Sequence, residues 1–294
     1  MDLWESVPEV VEKIGTIALE AMLMEAACAP APGLVDRFNS GAHNDMDIFT
    51  FIKSSSALGP AMYRCALAGW KHTGSDKVLL PILRSIGQKA EMAMFEATAG
   101  VNTQKGLLFL LGIMAAAAAR SIRQGDKGCI IEATLQRVVN ICSGIVEGDL
   151  GSLDHSLPDR KLTAGEKLYL NHGATGIRGE IAAGLPVIKT QGLPCLTAAL
   201  LGGLTINDAL IHALIGIMSE TQDTTILNRH GIHTLLAVQQ SAKAIMAAGG
   251  MLTEEGRRRI TELDGEYSNK RISPGGSADL VAGTYFIDRI KFTF

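Results

Sequence analysis

The stretch Gly106-Leu107-Leu108-Phe109-Leu110-Leu111-Gly112-Ile113-Met114-Ala115-Ala116-Ala117-Ala118-Ala119 decides how this chain is read. It is the longest run free of charged or strongly polar side chains, and its 14 residues are too few to span a bilayer. It is therefore expected to be a helix buried in a protein core. Its alanines let neighbouring helices approach closely. Outward from it, apolar positions recur mostly at helical spacing, in segments separated by Gly, Pro, Asn and Asp clusters, and strand-like alternation is nearly absent. The fold class expected is all-α, a single multi-helix domain over residues 1–294 with functional loops between apolar helices.

The first helix is expected over Glu9 to Cys28, stopped by Pro30-Ala31-Pro32-Gly33, because proline cannot continue the hydrogen-bond ladder. Further helices are expected over Asp45–Trp70, Lys77–Phe95, from Lys105 through the alanine run, Gly128–Glu147, Ala164–His172 and Leu193–Leu201. The last four are Asn207–Glu220, with Thr205 or Asn207 as N-cap, Ile232–Ala248, Thr253–Asn269 and Gly275–Ile290. No repeat, low-complexity linker or composition break divides the chain.

With 294 residues, 47% of them apolar, the chain can bury a substantial core, and a net charge of −3 removes the signature of disorder. Nucleic acid is not an expected partner. The one tight basic run, Arg257-Arg258-Arg259, reads as the solvated face of a helix. Five scattered cysteines (Cys28, Cys65, Cys129, Cys142, Cys195) form no C-x-x-C pair, which points to a reducing compartment without a disulfide framework or zinc site. Asp2, Glu5, Glu9 and Glu12 do not make a signal peptide. A cytoplasmic protein with no membrane association is expected.

Polar and glycine-rich residues gather in the loops, where ligand groups usually collect on a rigid scaffold. The first cluster, residues 32–46, places Asp36, Asn39, His43 and Asp45 within ten residues, enough for a hydrogen-bonding or cation-binding site. The same residue types also make turns, and Asp45 could serve as an N-cap. The second is Glu91 followed by Thr98-Ala99-Gly100-Val101-Asn102-Thr103-Gln104-Lys105-Gly106, a glycine-flanked loop entering a helix. Free amides, the positive end of the helix dipole and Lys105 would face an anion there. The third, Thr175-Gly176-Ile177-Arg178-Gly179-Glu180, offers Arg178 as a phosphate fork and Glu180 as an acid or base, or a simple ion pair. The fourth is Asp223-Thr224-Thr225 with Arg229 and Gly231. The fifth, Ser273-Pro274-Gly275-Gly276-Ser277-Ala278-Asp279, is another glycine-rich helix entry, an ordinary cap or a second anion site.

Neither H-E-x-x-H, G-x-S-x-G, G-x-G-x-x-G nor the Walker A pattern occurs, so the metalloprotease, α/β-hydrolase, Rossmann and P-loop classes lose their support. His212, on an apolar stretch, is expected to be a satisfied core histidine. The eleven methionines are expected to fill core gaps.

Taken in order, PGLVDRFNSGAHNDM, the E-x-x-x-F stretch leading to ATAGVNTQKG, GATGIRGE with its trailing AGLP, the DT segment with its Arg and Gly, and SPGGSADL resemble the triphosphoribosyl-dephospho-CoA synthase family over nearly the whole chain. Gln104 stands where that family pattern has histidine, Ala31 where it has lysine or arginine, and Thr225 where it has asparagine. The resemblance implies a transferase that joins ATP and 3′-dephospho-CoA, releases adenine and links C1 of the ATP ribose to the acceptor's 2′-hydroxyl. It further implies that the product goes to a transferase acting on a lyase acyl carrier protein, and the opening stretch is closer to the citrate lyase branch than to the malonate decarboxylase branch.

Breaking an N-glycosidic bond passes through an oxocarbenium-like state, so carboxylates are needed to stabilise it and to move protons. Asp36, Glu91, Glu180 and Asp279 are the catalytic candidates. His43, Asn102, Thr103, Lys105, Arg178, Arg229, Ser273, Gly275, Gly276 and Ser277 are the candidates for nucleotide and phosphate contacts. Mg²⁺ is expected with the triphosphate, with Asp45 and Asp223 as metal candidates. The alternatives are a nucleoside or ADP-ribosyl hydrolase, with water as acceptor, and a non-catalytic helical module that binds CoA-like nucleotides.

Overall fold

A computed structural model describes residues 7–125, 130–151, 153 and 162–294. Asp2, Glu5, Cys129 and the first residues of the helix expected from Gly128 lie outside the described residues. Among those described there is no strand, and the helices run α1 Glu9–Ala27, α2 Ile48–Lys71, α3 Leu79–Ala97, α4 Lys105–Gln124, α5 Ile130–Ile141 and α6 Ile145–Asp149. They continue as α7 Ala164–His172, α8 Ile177–Ala182, α9 Leu193–Leu201, α10 Ile206–Met218, α11 Thr224–Ala247, α12 Glu254–Lys270 and α13 Gly275–Thr293. The chain is all-α.

The helices fall into two compact units, one of residues 1–26, 45–143 and 282–294, the other of residues 27–44 and 144–281. Both are assembled from separated segments, so no linker or composition shift marks them in the sequence.

In the first unit the deciding stretch forms the middle of α4, where Ala115 to Ala119 are fully buried. By length and composition α4 could cross a membrane, but it is packed inside the unit. Helix α2 meets it without a side chain between them: a Cβ on Gly69 would lie 2.0 Å from the carbonyl oxygen of Ala116. Helix α1 meets α2 through a side chain instead, with Gly15 flush against the Tyr63 ring. The polar end of α4 is satisfied internally. Arg120, 6% exposed, donates to Asp76 Oδ1 at 2.5 Å and to the carbonyls of His72 and Gly74, and Arg137 shares Asp76 at 3.2 Å. A buried arginine is tolerated when its fork is filled in this way. Helix α2 starts three residues after the expected Asp45, because Asp47 is the N-cap and forms a capping box with Thr50.

The second unit is built on α10, whose residues 209–218 are all buried. Thr205 caps it, as one of the two expected residues. His212 is the satisfied core histidine that was expected, its Nδ1 accepting from the Met251 amide at 3.2 Å, and burial lowers its pKa. The expected Gly128–Glu147 helix is broken at Gly144, which takes φ 78°, giving α5 and α6. The helix expected from Ile232 begins eight residues earlier at Thr224, and the positive φ of Gly231 (φ 79°, ψ −179°) kinks it next to the expected start. In the basic run, Arg258 and Arg259 pair with Glu255 on the exposed side of α12, whereas Arg257 reaches Asp208 at 2.7 Å.

Candidate functional site

In the second unit, four of the five sequence clusters come together through a continuous set of contacts. The loop of residues 29–44 is shaped by Asp36, which is 1% exposed and whose Oδ1 accepts from the amides of Phe38 at 2.7 Å and Asn39 at 3.0 Å. Its Oδ2 accepts from the Ala31 amide at 3.4 Å. The same loop is held from α12 by Asp264, which takes the Gly33 amide at 3.1 Å and the Asn39 side chain at 3.4 Å. Gly33 is required there: its φ is +71°, and a Cβ would sit 2.0 Å from the Ile272 carbonyl oxygen. Burial and the neighbouring Asp36 charge raise the Asp264 pKa. The loop is tied to the α13 entry where His43 Nε2 and Ser273 Oγ share a hydrogen bond at 3.0 Å.

The α13 entry is tied in turn to the α11 entry through Asp223. This fully buried carboxylate accepts from the Thr225 and Ile226 amides on Oδ1 and from the Ser277 amide (2.8 Å) and hydroxyl (3.0 Å) on Oδ2, with the Gly276 amide also directed at it. Burial raises its pKa, while the Ser277, Ile226 and Gly276 bonds pull it back. Glycine at 276 permits the approach, since a Cβ would stand 3.2 Å from the Asp223 carboxyl. Gly275 likewise lies against Thr225, with a Cβ distance of 3.1 Å to its hydroxyl. The anion held at this pair of helix N-termini is thus the protein's own Asp223. A phosphate at Gly276 and Ser277, or a metal at Asp223, would have to displace those bonds.

Gly176 joins the third cluster to the same set, with its Cβ position 3.0 Å from the Thr224 methyl. The following helix carries Arg178, which donates to Asp149 at 2.8 Å, and Glu180, half-buried, whose Oε2 accepts from the Val187 amide at 3.4 Å. Burial raises the Glu180 pKa against that hydrogen bond. Left-handed backbone at Gly184 (φ 79°) and Leu185 (φ 59°) turns the chain so that Val187 reaches it. Asp279 is half-buried just beyond the first turn of α13, and Arg229 is exposed near the start of α11.

The second sequence cluster belongs to the first unit. Lys105 Nζ donates to Glu91 Oε1 at 2.5 Å, and α4 begins with no side chain capping its amides. Gln104 is 2% exposed; its Oε1 accepts from Ser54 at 2.8 Å and Ser55 at 3.1 Å, while its Nε2 has no partner among the described residues. Thr103 donates to Ser54 at 2.7 Å, and Asn102 and Asp45 are exposed. Among the described residues no three His, Cys, Asp or Glu gather as a metal site. Of the two metal candidates, Asp223 has its oxygens taken by amide and hydroxyl donors, whereas Asp45 is exposed.

Asp149, Asn207 and Asp264 were not among the sequence candidates. Asp264 lies on a helix dense in acidic and basic residues, where nothing in the pattern sets it apart. Asn207 was read only as a possible cap, yet its amide brackets the Ala29 backbone, donating at 2.8 Å and accepting at 3.0 Å.

The family model described as ATP:dephospho-CoA triphosphoribosyl transferase matches residues 11–293. A Vibrio cholerae relative named probable 2-(5″-triphosphoribosyl)-3′-dephosphocoenzyme-A synthase is 38% identical over 275 residues, covering 93% of this chain and 87% of its own. A Klebsiella pneumoniae relative with the same name, without "probable", is 34% identical over 95% of this chain and 91% of its own. One from Lactiplantibacillus plantarum, again named as a probable synthase, is 39% identical over 92% and 94%. No solved structure matches the chain.

Proposed function

The chain belongs to the ATP:dephospho-CoA triphosphoribosyl transferase family, and on that premise we propose that it transfers the triphosphoribosyl group of ATP to the 2′-hydroxyl of 3′-dephospho-CoA. The match over residues 11–293 is the observation that carries this reading. In the reaction the bond from the adenine nitrogen to C1 of the ribose breaks and a bond from the acceptor oxygen to that carbon forms. Adenine leaves with one proton, and the acceptor hydroxyl gives one up.

Glu180 is suited to supply the proton to adenine, because burial holds its carboxyl protonated at a higher pH than an ordinary glutamate. Asp279, in the same unit as Glu180, is the carboxylate assigned to face the positive ribose ring or to take the hydroxyl proton, and Glu91 is a carboxylate candidate of the other unit. Asp36 acts by fixing the loop that carries His43, and Asp223 by fixing the two helix entries that carry Ser273, Gly275, Gly276 and Ser277. Lys105 with Asn102 and Thr103 at the uncapped start of α4, and Arg178 and Arg229 in the other unit, are assigned to phosphate groups. Mg²⁺, when bound to the triphosphate with Asp45, would neutralise phosphate charge. The resemblance of the opening stretch supports the citrate lyase branch, with the product passed to a transferase acting on the lyase acyl carrier protein.

The test is chromatographic detection of adenine from ATP and Mg²⁺, with and without 3′-dephospho-CoA, together with mass spectrometry of the product. Adenine that appears only with the acceptor, and a product of the summed mass less adenine, is the expected result. Adenine without acceptor would indicate a hydrolase, and none at all would sink the enzymatic reading.

A further inference from the structure

Phe38 is 76% exposed, far more than an aromatic side chain usually is, and it stands in the loop shaped by Asp36. Its backbone does not wander: the amide donates to Asp36 Oδ1 at 2.7 Å. One face of its ring is backed by the Arg37 guanidinium, 4.6 Å from the ring centroid. That guanidinium is itself anchored, donating from Nη1 to the Ala27 carbonyl at 2.8 Å and to Asn207 Oδ1 at 2.6 Å. A ring with a fixed cation behind it and three-quarters of its surface still open presents its second face to solvent. Phe292 has a similar contact with Lys291 at 5.2 Å, but it lies in the last turn of α13, away from any candidate residue in sequence.

A flat, anchored, one-sided aromatic surface is what a nucleobase stacks on, and such stacking tolerates any base because every base has a π-face. We propose that Phe38 is a stacking platform for the adenine ring of a nucleotide substrate, with Arg37 as its rigid backing. The inference rests on the proposed function for the identity of the base, since ATP and 3′-dephospho-CoA both carry adenine. Phe38 is a positioning residue in this scheme. It sets where the base lies relative to the Asp36 loop and takes no part in bond changes.

The experiment uses the full chain in three variants, Phe38→Ala, Phe38→Tyr and Phe38→Trp. Phe38→Ala is expected to raise KM for one of the two substrates roughly tenfold to a hundredfold, the equivalent of one base stacked on one ring, with a smaller effect on kcat. Phe38→Tyr should restore the wild-type KM. In Phe38→Trp the new indole fluorescence should be quenched on titration with ATP alone or with 3′-dephospho-CoA alone, and the arm that quenches identifies which adenine is held. Inorganic triphosphate should leave it unchanged. Unaltered KM for both substrates in Phe38→Ala, or quenching by inorganic triphosphate equal to that by the nucleotides, would overturn the proposal. Quenching by a nucleotide in a protein that releases no adenine would keep the platform and remove the transfer reaction instead.

Discussion

Glu25, near the end of α1, is a partly exposed carboxylic acid that desolvation of its carboxyl pushes up to about 8. An unfolded glutamate titrates near 4.5, so between these values the folded chain keeps a proton that the unfolded chain has lost. Its contribution to stability is therefore full below 4.5 and is lost as pH rises through about 8. Glu25→Gln, which copies the protonated acid, is expected to melt about 2–6 °C higher than wild type at pH 8 and at nearly the same temperature near pH 4.5. Equal melting temperatures at both pH values would remove Glu25 as a source of pH-dependent stability. No loop motif pointed to this residue, because the desolvation of its carboxyl arises only in the fold. The reverse holds for Asp36 and Asp223, which the loop composition singled out. An aspartate that organises a turn and one that faces a ligand look alike in sequence; what separates them is whether amide and hydroxyl donors already fill the carboxylate oxygens, as they do in both.

Among the elements, the contact between α2 and α4 leaves little room to adjust. Any side chain at position 69 would meet the Ala116 carbonyl, which is backbone and cannot rotate away. Gly69→Ala is expected to cost about 2–3 kcal/mol in urea denaturation, because the two helices must separate along a line of fully buried alanines. A loss under about 0.5 kcal/mol would show that the pair relaxes freely. The helices around this contact were legible because a long apolar run has one physical solution in a globular chain, and α7 and α9 begin and end at the residues expected. Helix α8 was read as loop, since six residues are too few to show a helical period. The early start of α11 was missed because its first turns carry Asn228, Arg229 and His230, whose polarity resembles a loop, while the cap at Asp223 is what starts the helix.

At the scale of the molecule, the helices gather into two compact units whose segments alternate along the chain. The division was not legible because a junction inside α13 leaves no glycine-rich or proline-rich mark; residues up to Val281 belong to one unit and those from Ala282 to the other. Phe286, Ile287 and Ile290 are fully buried, and Tyr285 donates to Glu20 at 2.7 Å, so residues 282–294 are core of the unit that also contains most of α1. Phe286→Ala is expected to cost about 3–5 kcal/mol, read as a lower urea midpoint at unchanged slope. A midpoint shifted by less than a third of that would show that the last helix merely covers the surface. This placement also has a bearing on biosynthesis. A ribosome delivers residues 282–294 after every residue of the other unit, so the unit that starts first is completed last. Until then α1 must wait without the Tyr285 partner of its Glu20, and a nascent chain halted before Ala282 is the species on which a chaperone would act.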